Sequence, residues 1–396
     1  MSLFQLPQAP THEPLQLTWL SVIQLRLKLQ KPFITSFGRQ DERDTLLVML
    51  RTQDGLVGIG ETPSMAAPMY DENYLWADLD VLQRFLIPTV SEQLKGVICC
   101  FDDLESIFKP VKGHRFSKCG LEAAYWHLVA QQKNVALASL WGGRAESVQA
   151  GFSIGAKTLD DVLERAERAI QAGFKRLKVK IWPGFDRIVL EAIRNQYPNI
   201  MLQADANTAY DPFSSEHIAA LKTLDELDLL LIEQPFAENR LLDHARFQAE
   251  HNLKTPICLD ESIRDLNDVR QAIDLWRLFE VSERLVINVK PPRVGGYWES
   301  VRIATYCQAH QVPCWVGGML ETGLGKWMNI SLAAHSAFNL PGDHLQPQPY
   351  YQQDIINPLP TLRTDGTVIV PSGEIGEIDW ETLERLQVAR FDFQVN

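Results

Sequence analysis

Hydrophobic and polar positions alternate along residues 17–29 (LTWLSVIQLRLKL), and a strand with one buried face is the element that this pattern predicts. Residues 44–52 (DTLLVMLRT) give a second strand, and Asp54-Gly55 supplies a hairpin turn into a third, LVGIGE. An antiparallel meander begins the chain. The period then becomes helical from Asp71 to Pro88, Asp102 to Phe108 and Ser117 to Lys133, and Trp141-Gly142-Gly143 ends the run. After Ala145 strand and helix patterns alternate. SVQAGFSIG precedes a helix from Thr158 to Ala172 and then FKRLKVK, and the alternation continues through VPCWVG to a weaker, polar segment near Asp343. Strand and turn chemistry returns from Thr364 to Pro371 (TDGTVIVP), which predicts packing back on the N-terminal part.

Five runs in the alternating region end in a charge: Phe174 to Lys180, Ile200 to Asp205, Leu229 to Glu233, Pro256 to Asp260 and Leu285 to Lys290. The charges follow one another at intervals of 25 to 30 residues. Apolar runs of this kind read as buried parallel strands. A repeated strand-plus-helix unit builds a (β/α)₈ barrel, whose strand C-termini form the active-site face. The charged ends would therefore converge on one mouth. The predicted fold class is α/β, a (β/α)-barrel of modified TIM type with an α+β capping domain formed by the N-terminal region and the C-terminal segment. The expected boundaries are 13–145 for the capping domain, completed by about 356–396, and 146–355 for the barrel. No low-complexity linker separates them, so the site is expected at a rigid domain interface.

Composition narrows the function. A chain of 396 residues, 45% hydrophobic, is longer than one core accommodates, so two domains are expected. A formal net charge of −12 argues against a nucleic-acid partner. With no 18-residue apolar run and no signal-peptide order, a membrane partner is not expected and a cytoplasmic location is the default. The six cysteines show no CxxC and no zinc spacing, which predicts reduced core thiols. No HExxH occurs among the nine histidines. Met1 to His12 reads as a loose leader.

Lys178 and Lys180 leave one face of their strand. Two adjacent ammonium groups lower each other's pKa from about 10.4 toward neutrality, as a lysine general base requires. By itself the pair fits a solvated edge strand better. Asp205, Glu233 and Asp260 change that weighting. Three carboxylates on successive strand ends, with no arginine beside them, repel unless a cation intervenes. An all-oxygen set selects a hard ion, Mg²⁺ or Mn²⁺. A single such Asp is more often a helix N-cap; three in register with two lysine strands are harder to explain so. Lys290 ends the next strand and would face Lys180 across the ion, giving a proton donor and acceptor on opposite faces of one carbon.

The order K-x-K (178–180), D-x-N (205–207), E-Q-P (233–235), D-E-S (260–262), K-x-x-R-V-G-G (290–296) and G-G-M-x-E (317–321) resembles the enolase superfamily, muconate-lactonizing subgroup, over most of the chain. The resemblance implies proton abstraction α to a carboxylate, with the enediolate stabilised by Mg²⁺ or Mn²⁺. It implies Lys180 as base, Lys178 as its partner, Asp205, Glu233 and Asp260 as metal ligands, and Lys290 as second acid/base or as a cation facing the intermediate. Asn207 and Glu261 correspond to supporting groups, and Gly318, Met319 and Glu321 to the seventh-strand segment. Arg293 stands where racemase-competent relatives carry an arginine, although Pro292 replaces the expected Gly.

The segments Pro32 to Gly38 and Gly60 to Tyr70 resemble the capping loops of o-succinylbenzoate synthases and N-succinylamino acid racemases. Phe33, Phe37, Met65 and Tyr70 would supply an apolar lid, with Ser36 a further substrate contact. This closer resemblance implies Mg²⁺-dependent dehydration of a succinyl-hydroxycyclohexadiene carboxylate in menaquinone biosynthesis. N-succinylamino acid racemisation is the alternative, and a non-catalytic barrel a third reading. Mandelate-racemase-like members need a histidine that Trp315 to Glu321 lacks, and dipeptide epimerases carry a D-x-D that Asp343-His344-Leu345 lacks. Muconate cycloisomerases are set apart only by the capping loops. The implied partner is a small-molecule carboxylate; a homo-oligomer is left open.

Overall fold

The apolar alternation at the start of the chain folds into β1 (Leu15–Thr35), β2 (Gly38–Thr52) and β3 (Val57–Thr62), paired antiparallel, with β4 (Val97–Ile98) on β1. The computed structural model describes residues 5–35, 38–343 and 350–395. Leu20 and Val22 of β1 and Leu46, Val48 and Leu50 of β2 are fully buried. Helix Arg115–Lys133 lies directly on β3. A Cβ at Gly58 or Gly60 would come within 2.2 Å of a helix carbonyl, so only glycine permits this approach. Residues 5–12 are not the loose leader expected. His12 Nε2 lies 2.7 Å from Tyr125 Oη, Lys133 Nζ donates to Thr11 O at 3.1 Å, and Leu6 packs on the core. Residues 1–4 lie outside the described residues.

Next come β5 (Ser147–Gln149), β6 (Gly151–Ile154), β7 (Arg176–Lys180), β8 (Met201–Asp205), β9 (Leu231–Glu233), β10 (Ile257–Leu259), β11 (Leu285–Val289) and β12 (Cys314–Val316). From β6 to β12 the strands pair in chain order and all parallel. Three of the intervening helices start on side-chain caps of this kind, Thr158, Ser214 and Asp265 each accepting from a first-turn N–H. Among the described residues an eighth regular barrel strand does not form. The segment from Phe338 to Gly342 closes the ring instead, bridging Cys314 on one side and Ala150 on the other. Pro341 has no N–H to give a ladder, so the closure rests on bonds such as Gly151 N to Gly342 O at 2.8 Å.

Four short strands end the chain: β13 (Ile356–Asn357), β14 (Thr367–Ile369), β15 (Glu377–Ile378) and β16 (Gln387–Gln394). The first sheet runs β16-β1-β2-β3. Of the last forty residues, expected on the N-terminal part, β16 pairs with β1 there, whereas the Thr364 to Pro371 segment sets β14 against β5 at the entry to the barrel. There Val368 and Val148 bury each other, a pairing that local pattern cannot specify. Four cysteines are buried and all six are free, but Cys99 is exposed and Cys100 half-buried. These two are not core thiols because they precede helix Phe101–Phe108, where their N–H groups donate to Asp103. Among the described residues no helix is long and apolar enough to cross a membrane.

Candidate active site

The barrel interior is layered. Leu231, Cys258, Val286 and Trp315 form an apolar floor of one inward side chain from each of four strands. Period-two alternation then puts Arg176, Lys178 and Lys180 of β7, with Gln203 and Asp205 of β8, on the inward face above it. Arg176 and Lys178 both stack near Trp315, at 5.1 and 5.0 Å from the ring centroid.

Lys178 is buried and ion-paired to Asp343 (2.6 Å), Asp205 (3.2 Å) and Glu233 (3.2 Å). Burial opposes its charge, but Asp343, Glu233 and Asp205 outweigh burial and raise its pKa. The mutual depression expected of the K-x-K pair is therefore absent at Lys178, because three carboxylates surround it. Lys180 donates to Asp205 Oδ2 at 2.7 Å and to Asn207 Oδ1. Asp205 is held down at about 2: burial pushes it up, and Lys180 and Lys178 more than reverse that.

Across the barrel, Lys290 donates to Asp260 Oδ2 at 2.8 Å and to Tyr70 Oη at 3.0 Å. Burial opposes its charge too, but Tyr70, Glu261 and Glu233 raise its pKa. Arg293 corrects the expectation that no arginine stands beside the carboxylates. It is fully buried, its Nη1 pairs with Asp260 Oδ1, and its Nε donates to Ile263 O at 2.6 Å. The reason is local: Pro291 and Pro292 start a one-turn helix, Pro291–Val294, which swings position 293 inward.

Two motif residues hold others in place. Gln234 Oε1 accepts from the N–H groups of Asp260 (2.9 Å) and Ser262 (3.2 Å), so the E-Q-P turn fixes the D-E-S turn. Glu233 accepts from Gln203 Nε2 and Asn288 Nδ2, both at 2.7 Å. Asn207 (φ 39°) and Gln234 (φ 39°) take left-handed backbone, a strain typical of functional turns. Asn207 Nδ2 donates to Glu261 Oε1 at 3.0 Å, and burial pushes Glu261 up to about 7.

One cavity gathers Met65, Tyr70, Lys178, Lys180, Asn207, Lys290, Gly318, Met319 and Glu321. Asp205, Glu233, Asp260, Glu261 and Arg293 lie buried against its lining residues. Phe33 sits on β1, and Ser36 and Phe37 lie outside the described residues. Sequence reasoning missed Arg43, Ser153, Leu320, Lys326, Asp343 and Tyr350, which also line the cavity. For Lys326 a signal existed, the lone charge in helix Gly323–Ala333.

The donor chemistry of Asp205, Glu233 and Asp260 fits a hard divalent cation, with three buried carboxylates on adjacent strand ends. As the side chains stand, no such trio among the described residues closes into a ligand shell. Their oxygens are engaged by Lys178, Lys180, Lys290 and Arg293 instead.

Seven parallel strands under an antiparallel cap, with charged strand ends at their common mouth, define the class. The chain belongs to the enolase superfamily: residues 161–376 match the enolase C-terminal domain-like family, and residues 18–142 the N-terminal domain of mandelate racemase / muconate lactonizing enzymes. It is 39% identical over 365 residues to the o-succinylbenzoate synthase of Geobacillus kaustophilus, covering 91% of this chain and 93% of that one. It is 38% identical to the N-succinylamino acid racemase of Thermus thermophilus, covering 89% and 91%. An enolase-superfamily member from Listeria innocua superposes with a TM-score of 0.89 at 33% identity, covering 96% of this chain and 100% of that one.

Proposed function

We propose that the chain is an o-succinylbenzoate synthase of menaquinone biosynthesis, and that the same site racemises N-succinylamino acids. The observation that carries this is two lysines, Lys180 and Lys290, on opposite walls of one cavity above buried carboxylates. Support for the substrate class comes from the named relatives, which span nine-tenths of the chain.

In the dehydration, Lys180 takes the α-proton of the substrate. Asp205 and Asn207 hold the ammonium that results. Asp205, Glu233 and Asp260 would hold a divalent cation, Mg²⁺ or Mn²⁺, which when bound stabilises the negative charge that grows on the substrate carboxylate. The C–O bond then breaks, hydroxide leaves as water with the proton that Lys180 took, and the ring becomes aromatic. Lys290 offers a positive charge over the flat intermediate. Tyr70 and Met65 cover the cavity and exclude water. In racemisation Lys290 delivers a proton to the face opposite Lys180, so both lysines are needed.

The test follows α-proton exchange of each enantiomer of an N-succinylamino acid in D₂O, beside synthase turnover. Lys180→Ala is expected to abolish synthesis. Lys290→Ala is expected to stop racemisation, impair synthesis only partly, and leave exchange of a single enantiomer. Wild-type synthase turnover in Lys180→Ala would refute the assignment of the base. Chelation is expected to remove activity and Mg²⁺ or Mn²⁺ to restore it; full activity with no metal detected would refute the metal site.

A further inference from the structure

Two cations in the cavity have no part in the chemistry above: Arg43 from β2 and Lys326 from helix Gly323–Ala333. They are only 5% and 6% exposed. Arg43 Nη2 donates to Pro63 O at 2.6 Å, while its buried Nε has no partner among the described residues. Lys326 makes no side-chain hydrogen bond or ion pair among the described residues; its ammonium lies 4.2 Å from the Tyr350 ring centroid and 5.9 Å from that of Tyr351. Three acids are close enough to act on it, and each is engaged elsewhere: Asp354 caps the helix by accepting from Gly323 N at 3.0 and 2.9 Å, Glu321 accepts from Met319 N at 2.9 Å and Asn329 Nδ2 at 3.0 Å, and Glu61 accepts from Thr322 N at 3.0 Å and Thr322 Oγ1 at 2.7 Å. Tyr351 lies near both cations: the Lys326 ammonium is 5.9 Å from its ring centroid, and the charge of Arg43 opposes the burial that raises its phenol.

A desolvated ammonium with no direct ion pair is costly, and nearby acids engaged elsewhere and aromatic faces compensate it only in part. Such a group facing a cavity marks a place where a ligand brings the anion. We propose that Arg43 and Lys326 receive the second carboxylate of the substrate, the one remote from the reacting carbon, and so select dicarboxylates; this rests on the reading of the site as one for succinyl compounds. The arrangement suits the task. Arg43 offers a planar fork and Lys326 a point charge. Held at both ends, the substrate keeps its α-carbon between Lys180 and Lys290.

The probes are o-succinylbenzoate and 2-butyrylbenzoate, in which a methyl replaces the remote carboxylate, titrated calorimetrically into the full-length protein loaded with Mg²⁺. Wild type is expected to prefer the diacid by on the order of tenfold or more, as charge-assisted hydrogen bonds provide. In Lys326→Met and in Arg43→Met the affinity ratio is expected to fall toward one, and Lys326→Arg is expected to keep it. The melting temperature of metal-free Lys326→Met is expected to equal or exceed that of wild type, because an unpaired buried charge is gone; a clear drop would assign Lys326 a structural role and overturn the proposal. Equal binding of both probes by wild type overturns it, as does a wild-type ratio that survives both methionine variants, and in the latter case the functional reading stands. If folded, metal-loaded wild type binds neither probe, the functional reading fails and the proposal with it.

Discussion

At single side chains, neighbours across the barrel decide what spacing along a strand cannot. Lys178 and Lys180 are two residues apart, yet Lys178 lies among Asp205, Glu233 and Asp343 while Lys180 reaches the cavity with an 18% exposed side chain. Asp343 also binds Arg176 at 2.7 Å, and the two cations hold its carboxyl well below the usual range against the pull of burial. Asp343→Leu would leave two buried cations short of a partner, and a loss of about 3 kcal/mol is expected. Urea denaturation checks this, and an unchanged midpoint would mean that Asp343 is not structural. Residues whose charge ends an apolar run were legible in the sequence: Lys180, Asp205, Glu233, Asp260 and Lys290. Arg43 and Asp343 were legible neither as partners nor as lining, because their inward direction depends on strand twist and on ring closure at Pro341; Arg293 was legible through the resemblance, but its pairing with Asp260 was not, because it depends on a one-turn helix.

Among elements, the loop between β3 and helix Leu75–Val81 has a fixed base and an exposed tip, as the proposed lid requires. Ser64 Oγ donates to Asp78 Oδ2 and Ser117 Oγ to Asp78 Oδ1, at 2.5 and 2.7 Å, which ties the base to helix Arg115–Lys133. Leu75 N donates to Met65 O at 2.8 Å, and beyond Met65 the tip from Ala66 to Met69 is exposed. Met65 is half-buried, so Met65→Ala is expected to cost about 0.5 kcal/mol of stability or less. Turnover is expected to fall severalfold because the cavity cover is lost. A large melting-temperature drop with unchanged turnover would place Met65 in the core rather than in a lid. The resemblance to known capping loops gave Met65 and Tyr70, which line the cavity. The strands β5 to β12 were legible through apolar runs, whereas the closing segment Phe338–Asp343 carries too few β-formers, and the partner of β14 lies too far along the chain, for a local pattern to reveal either.

Over the whole molecule, two buried carboxylates from the first third of the chain each cap a helix of the barrel. Glu61 accepts from Thr322 N (3.1 and 3.0 Å) and Thr322 Oγ1 (2.7 Å) at the start of Gly323–Ala333. Glu122 accepts from Trp298 N (2.7 Å) and Trp126 Nε1 (2.9 Å) at the start of Tyr297–Ala309. Burial raises Glu61 to about 7 and Glu122 to about 8. In the unfolded chain both return to about 4.3. Between these values the native state binds more protons than the unfolded state, so stability from these groups is complete below pH of about 4 and is lost as pH rises through 7 and 8. His127 and His244, lowered to about 4 by burial, act the other way and remove stability as pH falls below about 6.5. Asp205, depressed by Lys180 and Lys178 despite burial, loses its contribution only in stronger acid. The two pairs offset each other between about pH 4.3 and 6.5, so a plateau is expected there, with an alkaline limb above it set at the domain interface. Glu122→Gln keeps an acceptor but cannot ionise, so its urea midpoint is expected to fall less than that of wild type between pH 6 and 9. Comparing the two proteins cancels groups common to both, such as Lys118, which burial lowers to about 8. Equal slopes in the two proteins would remove Glu122 as the group that loosens the interface in alkali.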